Sequence, residues 1–109
     1  PFNPGENSYV TDGPFLYRTQ SGKLLMIWSS FVKDGDYAVG QLESESGNVS
    51  GPWRHSEWLL HGEDGGHAML FRDLSGQLRM ALHQPNSGGL ERAQFLCIRE
   101  EDDRLIVQS

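Results

Sequence analysis

Two segments decide the fold, because one repeats the other: GPFLYRTQSGKLLMIWSS (13–30) and HAMLFRDLSGQLRMALHQ (67–84). They align without a gap at a separation of 54 residues, and six of the 18 aligned positions are identical. In each segment an apolar run leads through a Ser-Gly pair into a second apolar run, which is the pattern of a β-hairpin. A gap-free repeat of this length predicts that the chain contains two copies of one structural unit.

Each unit is predicted to be a four-stranded antiparallel sheet, and the chain to be all-β, because no stretch keeps a 3.6-residue period over ten residues. Four short strands in about 50 residues is the size of a β-propeller blade. The blade-like units are expected at about 12–62 and 66–109 of one partial propeller domain, 1–109. The predicted strands are 14–18, 23–29, 37–44 and 56–60 in the first unit, and 68–72, 78–83, 92–99 and 104–108 in the second.

Two blades cannot close a ring, and their open faces would expose apolar side chains. We therefore expect the chain to be part of a larger propeller, or to associate with itself to complete one. The first residues, PFNPGENSYV, resemble a cut or matured end and contain no recognisable signal peptide, which leaves localisation open.

Composition restricts the partners. The net charge of −6 argues against nucleic acid or an anionic membrane surface, because no basic patch is available to neutralise phosphates. The 13 glycines suit a turn-rich protein, and no apolar run is long enough to cross a bilayer. The single cysteine, Cys97, excludes an internal disulfide and a multi-cysteine metal site, and it is expected as a small buried residue on a strand.

Four segments stand out: TDGPFLYR (11–18), ESGNVSGPW (45–53), DGGHAMLF (64–71) and LERAQFLCI (90–98). In this order they resemble segments of glycoside hydrolase family 43. Their counterparts in that family carry, in turn, the catalytic acid (usually Glu-Gly-Pro), a recurring Gly-Pro-Trp, the central histidine (often Gly-His-Gly) and a strand of the final blade (often Glu-Arg-Pro). The resemblance implies a five-bladed propeller that cleaves arabinofuranosyl or xylosyl linkages of plant polysaccharides.

The chain departs from the family pattern in two ways. Asp12 stands where glutamate is usual. The aspartate that serves as the base, and a further aspartate that raises the pKa of the acid, belong upstream of the segment that this chain matches. The resemblance therefore implies the C-terminal portion of such an enzyme, and a secreted or periplasmic location.

Asp12 is the candidate catalytic residue. Inverting glycoside hydrolysis needs two carboxyl groups about 6.5–9.5 Å apart, one protonated toward the leaving oxygen and the other activating water. The resemblance gives Asp12 the role of general acid. The alternative is an Asp-Gly turn, in which aspartate is favoured because its side chain bonds the local backbone.

Four further residues are candidates for binding. The resemblance places His67 near the propeller axis, where it would contact a bound calcium through water, since calcium prefers oxygen ligands; the alternative is a structural histidine at a strand start. His83 is expected to face substrate. Arg92 would contact sugar hydroxyls or cleft carboxylates, or would pair with Glu91. Trp28 would offer a stacking face to a sugar ring or pack between sheets.

Other residues are interpreted as scaffold. Arg18 and Arg72 occur at equivalent positions of both copies, and an active site is not duplicated. Glu63 and Asp64 are expected in a solvated loop. The rival to an enzyme is a non-catalytic carbohydrate-binding or structural half-propeller that must associate to complete its fold.

Overall fold

The computed structural model describes residues 12–32, 35–56, 59–86 and 88–108, with the backbone alone for Asp12. It contains two four-stranded antiparallel sheets, in the order β1-β2-β3-β4 and β5-β6-β7-β8, so the all-β prediction is confirmed. No helix of the described residues is long and apolar enough to cross a membrane. The strands are β1 (Asp12–Arg18), β2 (Leu24–Phe31), β3 (Tyr37–Ser44), β4 (Trp53–His55), β5 (Gly66–Arg72), β6 (Leu78–Gln84), β7 (Arg92–Glu101) and β8 (Arg104–Val107).

The first hairpin of each sheet is closed by the same arginine contact. Arg18 donates from Nη1 to the carbonyl of Gly22 at 2.9 Å, and Arg72 donates from Nη1 to the carbonyl of Gly76 at 3.1 Å. Both glycines have positive φ angles, 97° and 87°. The scaffold role predicted for the two arginines is confirmed.

A side-chain oxygen completes the same two turns. The hydroxyl of Thr19 accepts the N–H of Lys23 at 3.0 Å, and the Asp73 carboxylate accepts the N–H of Gln77 at 3.0 Å. In the second turn the same carboxylate also forms an ion pair, 2.5 Å from Arg79 Nε to Asp73 Oδ2. That hydrogen bond is the main reason why the pKa of Asp73 lies well below its ordinary value.

The core lies between the two sheets. Alternate residues of β2 point from the first sheet toward alternate residues of β5 and β6 in the second, as strand periodicity requires. Each sheet thereby buries one face against the other, which is how adjacent blades are held together. The buried cluster comprises Leu25, Ile27, Val39, Leu60, Ala68, Leu70, Leu78, Met80, Leu82, Ile98 and Leu105.

One polar side chain also joins the sheets inside this core. Gln41 of β3 is 5% exposed. Its amide donates to the carbonyl of Leu105 at 2.8 Å and accepts from the N–H of Leu105 at 3.1 Å. The carboxamide therefore satisfies both main-chain groups of a buried residue in β8, as a paired strand would.

The fourth strand lies earlier than predicted. β4 is Trp53–His55, and it pairs with Leu42–Ser44 of β3. Of the predicted strand 56–60, residues 57 and 58 lie outside the described part of the chain, and Leu60 is a core residue at 6% exposure in a connection. Leu60 imitates a strand residue because a connection that reaches the core also needs an apolar side chain there, whereas Leu59 is 43% exposed.

The outer face of the second sheet is apolar and open. Met69 and Phe95 are 49% and 59% exposed. The ring of Phe71 meets that of Phe95 edge to face, with centroids 6.2 Å apart. A contiguous exposed apolar patch of this kind is typical of a surface that contacts another protein element.

Candidate functional site

Both inner strands begin with a bulge at the same place in the repeat. The β1–β2 register shifts between Asp12 and Phe15, and the β5–β6 register shifts between Gly66 and Met69. A bulge bends the strand and re-aims a side chain, and bulges are common beside active sites. Asp12 is therefore the first residue of a strand that is irregular at its start, and the local role of its side chain stays a prediction.

The bulge places His67 in a strained backbone conformation. Gly13 and His67, equivalent in the repeat, have φ angles of 55° and 52°. Glycine adopts this conformation freely, whereas a histidine in it carries strain of about 1–3 kcal/mol. Such strain persists where the surroundings impose it, and it is concentrated at functional sites. His67 is also exposed, so its side chain is accessible to a ligand.

The two bulges lie against each other. A Cβ atom on Gly13 would come within 3.2 Å of His67 Cγ. Ser29, fully buried, pairs with Asp12 across β1 and β2, and its hydroxyl accepts the N–H of His67 at 2.7 Å. The structure thus brings the backbone of Asp12 and the backbone of His67 together through Ser29. The side chain of Asp12 lies outside the described part.

His83 lies at the same end of the second sheet. It pairs with Gly66, and its ring stacks on Tyr37 with centroids 5.5 Å apart. Its Nδ1 is buried and has no hydrogen-bond partner among the described residues. Gly66 is required here, because a Cβ atom would lie 2.4 Å from the Tyr37 ring. The sequence analysis did not identify Tyr37 as part of this site. The available signal for a close approach was the pair Gly65-Gly66 before His67.

The loop before β5 is fixed by Asp64, which corrects its assignment to a solvated loop. Its carboxylate accepts the N–H of Tyr37 at 2.8 Å and the N–H of Asn86 at 3.0 Å. One carboxylate therefore spans from the first sheet to the loop after β6. Glu63 is exposed, as expected, but its carbonyl accepts from Gln84 at 2.9 Å.

Arg92 lies near this end, since it pairs with Gln84 in the β6–β7 ladder. Its side chain is exposed and donates to the main-chain carbonyl of Glu91 at 2.7 Å. The alternative of an ion pair between the Glu91 and Arg92 side chains is therefore wrong. The Arg92 guanidinium is held by the carbonyl of Glu91 and is exposed to solvent.

Trp28 lies on the opposite face of β2 from Ser29, because neighbouring residues of a strand alternate. It is 7% exposed, and its ring lies 5.6 Å from that of His55 at 54°. This placement matches the packing alternative, and a sugar-stacking role for Trp28 stays a prediction.

The described residues do not form a calcium site of their own. Among them no group of three or more His, Cys, Asp or Glu side chains converges. Calcium takes six to eight oxygen ligands, and His67 would act only through water. The calcium ion at the axis stays a prediction from the resemblance.

Three solved structures have this fold over most of the chain. An endo-arabinase from Bacteroides thetaiotaomicron VPI-5482 shares 51% identity over 87% of the chain, with a TM-score of 0.82. A thermostable family-43 glycoside hydrolase shares 23% identity over 99%, also with a TM-score of 0.82. An endo-1,4-β-xylanase from the same Bacteroides strain shares 19% identity over 92%, with a TM-score of 0.76. No family model and no curated protein matches the chain.

The matched part is about a third of each relative, since the chain covers 34%, 38% and 38% of the three structures. The two sheets correspond to two blades of the propellers in these enzymes. The resemblance found in the sequence is confirmed by the endo-arabinase at half identity and by the shared fold of the other two.

Proposed function

Because the chain corresponds to part of a family 43 glycoside hydrolase, we propose that the whole protein hydrolyses arabinofuranosyl or xylosyl linkages of plant polysaccharides with inversion. Asp12 occupies the general-acid position. The observation that carries this proposal is the double bulge, in which the Asp12 backbone pairs with Ser29 and Ser29 holds the His67 N–H at 2.7 Å. Asp12 is thereby held beside an exposed, strained histidine at the meeting of the two inner strands.

The chemistry assigned to Asp12 is proton donation to the leaving oxygen. A general acid must lie within hydrogen-bond reach of that oxygen and must hold its proton near the working pH. Aspartate is one methylene shorter than glutamate, so the substrate must sit about 1 Å deeper, and rate is sensitive at that scale. The base that activates water comes from blades outside the matched portion, and no step assigned to Asp12 depends on calcium.

His83 and Arg92 are assigned to substrate contact, and His67 is assigned to a calcium ion through water. All three belong to the end of the second sheet where β5 begins, β6 ends and β7 begins. The buried Nδ1 of His83 is without a hydrogen bond from the described residues, so its tautomer is free to follow a bound group. The planar fork of Arg92 suits the vicinal hydroxyls of a sugar.

Further blades are the proposed partners of the two sheets. The apolar face formed by Met69, Phe71 and Phe95 is the surface that an adjoining blade would cover. Self-association through the same face is the alternative when the chain is isolated.

The test is hydrolysis of an aryl α-L-arabinofuranoside, an aryl β-D-xyloside and linear arabinan by the folded protein. Asp12→Asn, which keeps the shape and removes the acid, should abolish turnover, whereas Asp12→Glu should keep or raise it. The anomeric form of the first product, followed by NMR, distinguishes inversion from retention. A folded sample that binds arabinan without cleaving it would favour the non-catalytic carbohydrate-binding half-propeller.

A further inference from the structure

A groove that shares no lining residue with the candidate site contains an arginine without an ion pair among the described residues. Two adjoining cavities, of about 340 and 400 Å³, lie between β3 and β4 of the first sheet and the last hairpin of the second. Both are lined by Gln41, Ser56 and Arg104. None of the residues assigned to the candidate site lines either cavity.

Arg104 is the unusual group in this groove. Its Nε is buried and makes no hydrogen bond to any residue that the structure describes. A guanidinium that is partly removed from water normally has a carboxylate or carbonyl partner, because burial of an unpaired charge is unfavourable. An acidic ligand in the groove would supply that partner.

The carboxylates that line the groove do not fill this role. Glu43 is already held by Lys23 at 2.9 Å and by Arg54 at 3.4 Å. Asp102 lies in the exposed turn of the last hairpin, and neither it nor Glu43 lies within ion-pair distance of Arg104 among the described contacts. Arg104 therefore has no ion pair among the described residues, and it lines both cavities.

The position of Arg104 is fixed before any ligand arrives. It pairs with Glu101 across the β7–β8 turn, and the next residue, Leu105, is held at both main-chain groups by Gln41. These contacts hold the main chain from which the Arg104 side chain extends, and the planar guanidinium suits a flat bidentate anion.

We propose that the groove binds the carboxylate of an acidic sugar unit, with Arg104 as its bidentate partner. The carboxylate is required by the charge and fork geometry of Arg104. Each cavity has the volume of a small-molecule pocket, and the second adds the apolar side chains Leu59, Ile106 and Val107, which suit the apolar face of a sugar ring. The saccharide part of this inference rests on the proposed function, and the carboxylate part does not.

The test is a titration of the 109-residue protein with D-glucuronate, followed by ¹H–¹⁵N NMR at the Arg104 Nε–H. We expect a saturable shift with a dissociation constant on the order of 1 mM. D-Glucose, which has no carboxylate, should produce no shift, and acetate should bind at least about tenfold more weakly, because it lacks the ring. Arg104→Gln should weaken glucuronate binding at least about tenfold, while the matched variant Arg99→Gln, at an exposed arginine of the adjacent strand, should not.

The proposal is overturned if glucuronate leaves the Arg104 Nε–H unchanged, or if glucose shifts it equally. Equal binding of acetate and glucuronate would also overturn it, by showing an anion site that does not recognise sugar. The wild-type titration decides the matter even if Arg104→Gln fails to fold. Asp12→Asn should bind glucuronate normally, so a failure of the proposed hydrolysis is distinguishable from a failure of this site.

Discussion

The N–H of His67 donates to the hydroxyl of Ser29 across 2.7 Å, and this hydrogen bond connects the first residues of β5 to β2 of the neighbouring sheet. Ser29 is fully buried and is also the ladder partner of Asp12. Ser29 therefore links the two residues, Asp12 through strand pairing and His67 through its hydroxyl.

Ser29→Ala tests this link. The substitution leaves the His67 N–H without its acceptor, so we expect a loss of about 1–3 kcal/mol in the free energy of unfolding. Urea unfolding of the purified chain measures it. Ser46→Ala, at an exposed serine whose hydroxyl bonds Ser44 and Asn48 in its own loop, is the control. It should cost less than Ser29→Ala, because Asn48 stays accessible to water and the Ser44 hydroxyl keeps its bond to the Asn48 carbonyl. Equal stability of wild type and Ser29→Ala would show that the hydroxyl does not hold the inter-sheet contact.

Gly13→Ala tests the close approach of the two bulges. The φ of 55° disfavours alanine, and its Cβ would lie 3.2 Å from His67 Cγ, so we expect a loss of about 1–2 kcal/mol and an altered His67 environment. Thermal unfolding gives the first quantity and the His67 ring NMR signals give the second. Gly62→Ala is the matched control, since nothing lies within 4 Å of its added Cβ. If the two variants behave alike, the packing of Gly13 on His67 is not needed.

Gln41→Leu tests the polar connection inside the core. The substitution strands the buried N–H and carbonyl of Leu105, so unfolding should become easier by about 2 kcal/mol or more. Hydrogen exchange should show loss of protection at the Leu105 amide. Gln20→Leu, at an exposed position, should leave that amide protected. Unchanged protection in Gln41→Leu would mean that another group satisfies the strand.

Asp73→Asn tests the ion pair between the turn carboxylate of Asp73 and Arg79. The hydrogen bond from Arg79 holds the pKa of Asp73 below its ordinary value of 3.8. A carboxyl with a lowered folded-state pKa stabilises the fold above the unfolded-state pKa and loses that contribution as pH falls through the folded-state value. Stability of the wild type should therefore fall more steeply below about pH 4 than that of Asp73→Asn. Asp36→Asn, at an exposed site, serves as the control, and the same slope in all three proteins would contradict the assignment.

The repeat was sufficient to predict the sheet order, because Leu24, Met26, Leu78 and Met80 keep their strand phase at a fixed separation. It was insufficient for β4, because Leu60 packs in the core from a connection and not from a strand. The roles of Asp64 and Tyr37 were not predictable, because both depend on contacts between residues far apart in the chain. The Asp64 carboxylate accepts from Tyr37 and Asn86. The Tyr37 ring packs where Gly66 has no Cβ atom. The strain at His67 was not predictable either, because the sequence does not show the φ of 52° that His67 adopts in the bulge.

In β1 and in β5, the contacts that close the hairpin and the bulge of the candidate site lie at opposite ends of the same strand. The contacts of Arg18 and Arg72 secure one end of β1 and β5, whereas the bulges that differ in sequence lie at the other end. The two copies therefore carry different residues at the bulge, Gly13 and His67, while the same arginine contact closes both hairpins. A substitution at the bulge acts at one end of the strand and leaves the closure at the other end in place.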